Sequence, residues 1–152
     1  MTAAEGRVRV SPPALRLLAT SRAALREALR AESAPERYAT AHLAALRAAA
    51  AVLAARARPS DARARRPTSA WVLLAQVAPE LGEWATCFAA GADKRAAALA
   101  GLRSAATARE ADDLLRDVTT FLALVETTLG LLAEPVEAGP GRHDPALLHR
   151  AG

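Results

Sequence analysis

The chain has 152 residues, of which 52% are apolar, 3% aromatic and roughly a quarter alanine. This length most simply forms one domain whose core is leucine, valine and closely packed alanine, and no apolar–polar alternation of strand length occurs. A single cysteine, Cys87, excludes an intramolecular disulfide and a thiolate metal cluster, as in cytosolic proteins. The most apolar run, residues 43–55, is short and contains Arg47. We therefore expect a soluble, cytoplasmic, all-α protein without a membrane segment.

The net charge of +4 is unevenly distributed along the chain. Residues 1–67 hold 13 arginines against 5 acidic residues, whereas residues 68–134 hold 5 basic and 9 acidic residues. The arginine excess is consistent with phosphate binding, because the guanidinium fork matches phosphate oxygens. It is equally consistent with the codon bias of a GC-rich genome. Composition leaves both interpretations open.

The first predicted elements are two helices after a flexible arm at residues 1–10. Ser11 and the prolines that follow it start helix one, which runs to about Glu32. Its apolar face is predicted to carry leucines: Leu15, Leu18, Leu25 and Leu29. The capping-box pattern SAPE at residues 33–36 starts helix two, from about Pro35 to Ala57. Helical spacing predicts its apolar face: Tyr38, His42, Ala45, Leu46, Ala49, Val52 and Leu53.

The middle of the chain is interrupted by prolines and glycines. Residues 55–67 form a predicted exposed loop with five arginines and one acidic residue. Helix three starts at Thr68 or Ser69, and Pro79 ends or kinks it before the helix resumes through residue 90. A further short helical piece follows Gly91 and ends at Gly101.

Helix four has the most regular apolar pattern in the chain. Thr107 and Glu110 make a second capping-box pattern, and the apolar stripe continues for about six turns until Pro135. Residues 135–152 are rich in glycine and proline and are predicted to be a disordered tail. The sequence thus predicts a four-helix bundle over residues 11–134 with a broken third helix.

Arg37 and His42 are the candidate catalytic pair. A neutral histidine could accept the proton of a 2′-hydroxyl while an arginine stabilises the pentavalent phosphate, which would give metal-free RNA cleavage. The two side chains lie about 140° apart around a regular helix. They would meet only if Arg37 reaches back from the first turn or across a symmetric dimer. The structural alternative is a packed histidine, with Arg37 paired to Glu36 or to an acidic residue of another helix.

The charged side chains elsewhere also have two interpretations. A phosphate-binding surface is one interpretation of the loop arginines and two later cations, and a solubilising loop is the other. These candidate nucleic-acid-binding residues are Arg56, Arg58, Arg63, Arg65, Arg66, Lys94 and Arg95. The acidic face of helix four is better explained by salt bridges to Arg109 and Arg116 than by acid–base chemistry. It comprises Glu110, Asp112, Asp113 and Asp117.

The aromatic and sulfur-containing residues favour structural roles. Trp71 and Trp84 are predicted to anchor the core rather than to stack on bases. Cys87 is predicted to be a buried structural thiol. Of the remaining histidines, His143 and His149 lie in the tail, and no ligand pair accompanies His42. We expect neither a metal nor a cofactor.

Three long stretches resemble the HEPN superfamily, and specifically its small actinobacterial SAV-type branch. Within residues 15–132 they are ERYATAHLAALRAAAAVLAA, APELGEWATCFAAGADKRAAALAG and TAREADDLLRDVTTFLALVETTL. The resemblance implies an up-and-down four-helix bundle that is often dimeric. Many members are metal-free ribonucleases with an arginine, four to six residues and a histidine, which is the spacing of Arg37 and His42. Other members accompany nucleotidyltransferases or bind nucleotides or RNA.

Two features depart from the pattern of the catalytic members. Tyr38 follows the arginine, where those members usually have a polar residue, and the motif opens helix two instead of lying in the second half of the bundle. We expect a HEPN-like protein that engages RNA or nucleotides, with Arg37 and His42 as its candidate ribonuclease pair. The alternatives are a non-catalytic module that binds a protein partner or a second copy of itself, and simple phosphate binding by the arginine loop.

Overall fold

The computed structural model describes residues 10–56 and 69–131, and every regular element in these ranges is helical. The helices are α1 (Pro12–Arg30), α2 (Ala34–Arg56), α3 (Ala70–Val77), α4 (Gly82–Ala90), α5 (Ala92–Leu99) and α6 (Ala108–Thr128), with a 3-10 turn at Pro79–Leu81. The prediction of an all-α protein is confirmed. Apart from residue 10, the predicted arm, the tail at residues 135–152 and most of the arginine loop lie outside the described residues.

Hydroxyl side chains cap the N-termini of four of these helices. The caps are Ser11, Ser33, Ser69 and Thr107. Each hydroxyl oxygen accepts a hydrogen bond from the backbone N–H three residues later, which would otherwise lack a partner. At Thr107 the Glu110 carboxylate also accepts from the Thr107 N–H at 2.9 Å, which completes a capping box.

The buried face of α1 consists mainly of small residues, and the predicted leucine face is only partly correct. Leu18 is buried and Leu25 packs against the core, whereas Leu15 and Leu29 are exposed. The buried residues of α1 are Ala14, Leu18, Ser21, Ala24 and Ala28. Leu15 and Leu29 are 44% and 62% exposed. Small side chains allow α1 to approach α2 closely enough for the Ser21 hydroxyl to donate a 2.7 Å hydrogen bond to the Ala44 carbonyl. Leucines at those positions would hold the two helices apart.

Helix α2 is the central helix and is buried on more than one side. The predicted apolar face is largely inside, and a second row of alanines, Ala41, Ala44, Ala48 and Ala51, is fully buried as well. By length and composition alone α2 could cross a membrane, but 56% of its most apolar stretch is buried inside the protein. A core helix of a soluble protein passes the same test, so the helix is only weak evidence for a membrane span.

A proline and a glycine divide the segment between α2 and α6. Helix α3 ends at Val77, and the Ala78 N–H donates to the Leu74 carbonyl at 2.8 Å. Pro79 has no N–H to continue the helix, and the chain makes a 3-10 turn before α4 begins. Gly91 then separates α4 from α5.

Helix α6 ends earlier than predicted because of Gly130. The apolar stripe predicted helix up to Pro135, whereas α6 ends at Thr128. Gly130 has a φ of +79°, which is accessible to glycine, and its N–H donates to the Thr127 carbonyl. The Leu131 N–H donates to the Glu126 carbonyl at 2.8 Å, so the helix ends in a Schellman motif.

Four aromatic side chains form the centre of the core. The Phe88 ring lies 5.0 Å from that of Phe121 and 5.2 Å from that of Trp71, measured between centroids. Trp84 stacks on Phe88 at 5.9 Å. Both tryptophans are less than 5% exposed, which confirms the prediction that they anchor the core.

Candidate functional site

Arg37 joins the start of α2 to two neighbouring segments. Its guanidinium donates one hydrogen bond to Oδ1 of Asp112 in α6 at 3.1 Å and another to the Ala31 carbonyl at 3.0 Å. Ala31 is the C-cap of α1, so the second bond satisfies a carbonyl at a helix end. The Arg37 side chain is 22% exposed. This arrangement is the structural alternative in which Arg37 pairs with an acidic residue of another helix.

His42 lies in the core on the adjacent turn of α2. Its Nε2 is 2.8 Å from the Phe88 carbonyl oxygen in α4, and the residue is 1% exposed. A carbonyl oxygen only accepts, so Nε2 must carry the proton and Nδ1 the lone pair. Nδ1 is buried without a hydrogen-bond partner in the described part of the chain. The ring is nearly perpendicular to the rings of Trp71 and Phe88.

Burial lowers the pKa of His42 below its ordinary value of 6.5. The hydrogen bond to Phe88 acts in the opposite direction, and the positive charge of Arg95 lowers the pKa further. The imidazole is therefore neutral at neutral pH. That is the state a general base needs, but the nitrogen with the lone pair, Nδ1, is buried in the core.

We expect acidification below pH 6.5 to destabilise the protein through His42. Because the folded-state pKa lies below 6.5, the unfolded chain takes up this proton first as the pH falls. The stability contribution is complete above pH 6.5 and is lost between 6.5 and the folded-state pKa, at no more than about 1.4 kcal/mol per pH unit. Urea unfolding across this range should show a shallower pH slope for His42→Leu than for the wild type. Equal slopes would contradict the prediction.

Arg37 and His42 have no partner in common among the described contacts. The arginine is bonded to α6 and to the end of α1, whereas the histidine is bonded to α4 and surrounded by aromatic rings. Their role as a catalytic pair stays a prediction.

The model of the SAV_6107-like HEPN family matches residues 28–126 of the chain. The chain belongs to this HEPN family. The match extends from the last turn of α1 into the last turn of α6 and confirms the resemblance inferred from the sequence. No curated protein and no solved structure matches the chain significantly.

In this HEPN protein, Gly91 makes room for the hydroxyl of Tyr38, a contact that the sequence did not predict. A Cβ at Gly91 would lie 2.5 Å from Tyr38 Oη and 3.4 Å from His42 Cδ2. Tyr38 and His42 are one turn apart on α2, and Gly91 starts the helical turn that includes Arg95. In the sequence, a glycine between two helical pieces indicates a helix boundary. It does not indicate that the Tyr38 hydroxyl occupies the space beside the glycine.

Cys87 of the HEPN protein is half-buried, whereas the sequence predicted a buried thiol. Burial, with a contribution from the negative charge of Asp117, raises the pKa of this thiol. The sulfur therefore stays protonated at neutral pH and is a poor nucleophile. Burial also raises the pKa of the neighbouring Tyr38 hydroxyl.

Two of the predicted phosphate-binding cations are paired within the HEPN protein. Arg56 forms an ion pair with Glu80, and Lys94 forms one with Glu110. The Nε atom of Arg95 is buried without a hydrogen-bond partner in the described ranges. Arg58, Arg63, Arg65 and Arg66 lie outside the described residues. A phosphate-binding surface built from this set stays a prediction.

The acidic face of α6 is an ion-paired surface. Asp113 forms ion pairs with Arg109 at 4.0 Å and with Arg116. Asp112 forms an ion pair with Arg37, and Glu110 forms one with Lys94. Within the two described ranges, no three histidine, cysteine, aspartate or glutamate side chains are grouped so that they could hold a metal ion. Asp112 and Glu110 therefore link α6 to α2 and α5, whereas Asp113 forms its ion pairs within α6.

A cleft of about 610 Å³ lies between the start of α2 and the end of α5. Its lining includes Pro35, Ala39 and Ala98, with the charged side chains of Glu36 and Arg103. The two leucines at its α5 side, Leu99 and Leu102, are 64% and 55% exposed. The cleft is mainly apolar and lies at a different place from the His42 ring.

Proposed function

We propose that this HEPN protein binds RNA or nucleotide phosphates and that a single chain does not cleave them. Membership of a HEPN family and the arginine excess of residues 1–67 support a nucleic-acid ligand. The observation that separates binding from cleavage is the burial of the His42 side chain, whose lone-pair nitrogen, Nδ1, lies inside the core.

A general base must come within hydrogen-bond reach of the proton that it removes. The His42 ring is 1% exposed, and its free nitrogen, Nδ1, is buried as well. An RNA 2′-hydroxyl could reach this ring only after α2 separates from α4, which would disrupt the aromatic core. Arg37 alone could contact a phosphate but could not remove a proton.

The same burial applies to a homodimer. A second copy could place its own Arg37 against the surface of the first, but the His42 ring would remain inside the core. Cleavage by Arg37 and His42 across a dimer therefore requires a conformational opening in addition to association. Binding without cleavage requires none.

We also infer a four-helix up-and-down arrangement in which α3, α4 and α5 together take the place of the third helix. Thr20 and Ser21 near the middle of α1 contact Arg47 and Ala44 of α2, and the C-cap of α1 contacts Arg37, which is the pattern of antiparallel neighbours. A domain over residues 11–134 and a cytoplasmic location complete the proposal.

A non-catalytic docking module is the second candidate. It is favoured by the exposed Leu99 and Leu102 beside the apolar cleft, since exposed apolar patches often mark protein interfaces. Its occupant would be a protein partner or a second copy of the chain.

Salt-dependent RNA binding is the expected result that tests the first candidate. Fluorescence anisotropy of a labelled single-stranded RNA of about 16 nucleotides would measure the affinity in EDTA. Because phosphate contacts release counterions, the affinity should fall more than about tenfold between about 50 and 200 mM salt. Absence of binding at the lower salt concentration would contradict the proposal and favour the docking module.

A further inference from the structure

The solvent face of α1 carries a row of arginines that the sequence patterns did not single out. We call Arg16, Arg26 and Arg30 the arginine stripe. All three are exposed and lie opposite the buried face, which includes Leu18, Ser21 and other small residues. None of the three forms an ion pair with any residue in ranges 10–56 and 69–131. One acidic residue, Glu27, lies beside them.

The lack of ion pairs with the described residues distinguishes the stripe from most other cations in these ranges. Arg22, Arg37 and Lys94 each form an ion pair with a carboxylate of α6. A paired cation must lose its partner before it binds a phosphate, whereas a free one exchanges only mobile counterions. The arginines of the stripe are therefore better placed to gain affinity from phosphate contacts.

The geometry of the stripe fits a linear polyanion. At 100° per residue, the three side chains fall within a sector of about 80° around the helix axis. At about 1.5 Å per residue, Arg16 and Arg30 are about 21 Å apart along α1. This length is several times the roughly 3.4 Å between phosphates of one stacked strand, so the stripe spans several nucleotides of a linear chain. Guanidinium groups suit this role because they bind two phosphate oxygens at once.

Two apolar side chains favour a single strand over a duplex. Leu15 and Leu29 are exposed along one edge of the stripe. Unstacked bases of a single strand can contact such apolar groups, whereas a duplex keeps its base faces stacked.

The matched family region starts at residue 28, so Arg16 and Arg26 lie outside it. Those two arginines are features of this chain beyond the matched region.

We propose that the arginine stripe is the surface that binds the backbone of single-stranded RNA. The inference rests on the proposed function, because it assigns a surface to the RNA binding stated there. The backbone phosphates contact the three guanidinium groups, and the bases turn toward the edge with Leu15 and Leu29. The His42 core takes no part in this contact.

The test compares two triple variants that lose the same charge from different faces. The combination Arg16→Gln, Arg26→Gln and Arg30→Gln should weaken RNA binding about 10- to 100-fold at about 50 mM salt. The slope of log affinity against log salt should become shallower by about 2, since each single-strand contact contributes about 0.7. The control Arg103→Gln, Arg109→Gln and Arg116→Gln should change the affinity less than about threefold.

A single substitution tests the same surface by a gain of affinity. Glu27→Gln removes the acidic side chain beside the stripe and should tighten RNA binding by about two- to threefold. Circular dichroism should show unchanged folding for every variant, because each replaces an exposed side chain with a good helix former. Lack of any effect of Glu27→Gln would count against the stripe.

The outcomes separate the stripe from the proposed function. If the wild type binds RNA and the stripe variant binds equally well, the stripe is overturned and the proposed function stands. If the wild type does not bind RNA, both are overturned. Equal losses in the two triple variants would reveal a net-charge effect and overturn the stripe. Stripe-dependent binding to phosphatidylserine vesicles without RNA binding would overturn it in favour of a membrane surface.

Discussion

Phe88→Ala is expected to lower the free energy of unfolding by about 3–5 kcal/mol. The side chain is fully buried and contacts rings from α3, α4 and α6, so its removal leaves a cavity that these helices cannot readily close. The same α4 offers a surface control, Thr86→Ala, which should change stability by no more than about 0.5 kcal/mol. Urea or thermal unfolding measures both.

A small effect of Phe88→Ala would contradict the central place of the aromatic cluster in the core. The measurement also bears on His42, because its hydrogen-bond partner is the backbone of residue 88 and survives the substitution. A variant that is destabilised but still folded should therefore keep the histidine buried.

Gly91→Ala is expected to destabilise the protein by about 1–3 kcal/mol. The new Cβ would lie 2.5 Å from the Tyr38 hydroxyl oxygen, so either the ring or α5 must move. The φ of −87° at Gly91 is open to alanine, so the cost comes from this contact and not from the backbone. Tyr38→Phe removes the clashing oxygen and should recover much of the loss in the double variant.

Gly82→Ala is the matched glycine control. Its Cβ would meet nothing within 4 Å, and its backbone is helical with a φ of −61°. Alanine should therefore be neutral or stabilising there, by up to about 1 kcal/mol. Equal destabilisation at both glycines would refute the Tyr38 contact, as would a double-mutant cycle with no coupling between Tyr38 and Gly91.

The positions of the helix starts were largely predictable because local side chains determine them. Ser11, Ser69 and Thr107 each satisfy a backbone N–H three residues later, and that spacing is visible in the sequence. The end of α6 was predicted at Pro135, and Gly130 was not recognised as the stop. Helical periodicity alone could not tell that the chain uses the positive φ of the glycine.

Leu15 and Leu29 were wrongly placed on the buried face of α1 because the apolar character of leucine was given more weight than its size. Leucine is the more apolar residue, but close packing against the alanine-rich α2 selects Ala14, Ala24 and Ala28 for the interface. The apolar residues of one helix do not determine how closely a second helix approaches it. That distance is set by the side chains of both helices together.

The candidate site depended on contacts between residues far apart in the chain. The position of His42 on the apolar face predicted a packed histidine, and the structure supplied its partner, the Phe88 carbonyl. The sequence allowed Arg37 to pair with Glu36 or with an acidic residue of another helix, but it did not identify Asp112 as that residue. The pairing of Lys94 with Glu110 could not be inferred without the packing of α5 on α6. Cations that form no ion pair within residues 10–56 and 69–131, such as Arg26, could be recognised only after these pairs were known.

The fate of bound RNA tests the central claim most directly, because His42 is the one histidine in the described ranges and its ring is buried inside the core. The labelled RNA from the binding titration would be incubated with excess protein in EDTA and resolved on a denaturing gel. We predict that the wild type, Arg37→Gln and His42→Leu all leave the RNA at full length while the wild type binds it. RNA cleavage in EDTA by the wild type that is lost in both variants would contradict this prediction and identify Arg37 and His42 as a catalytic pair.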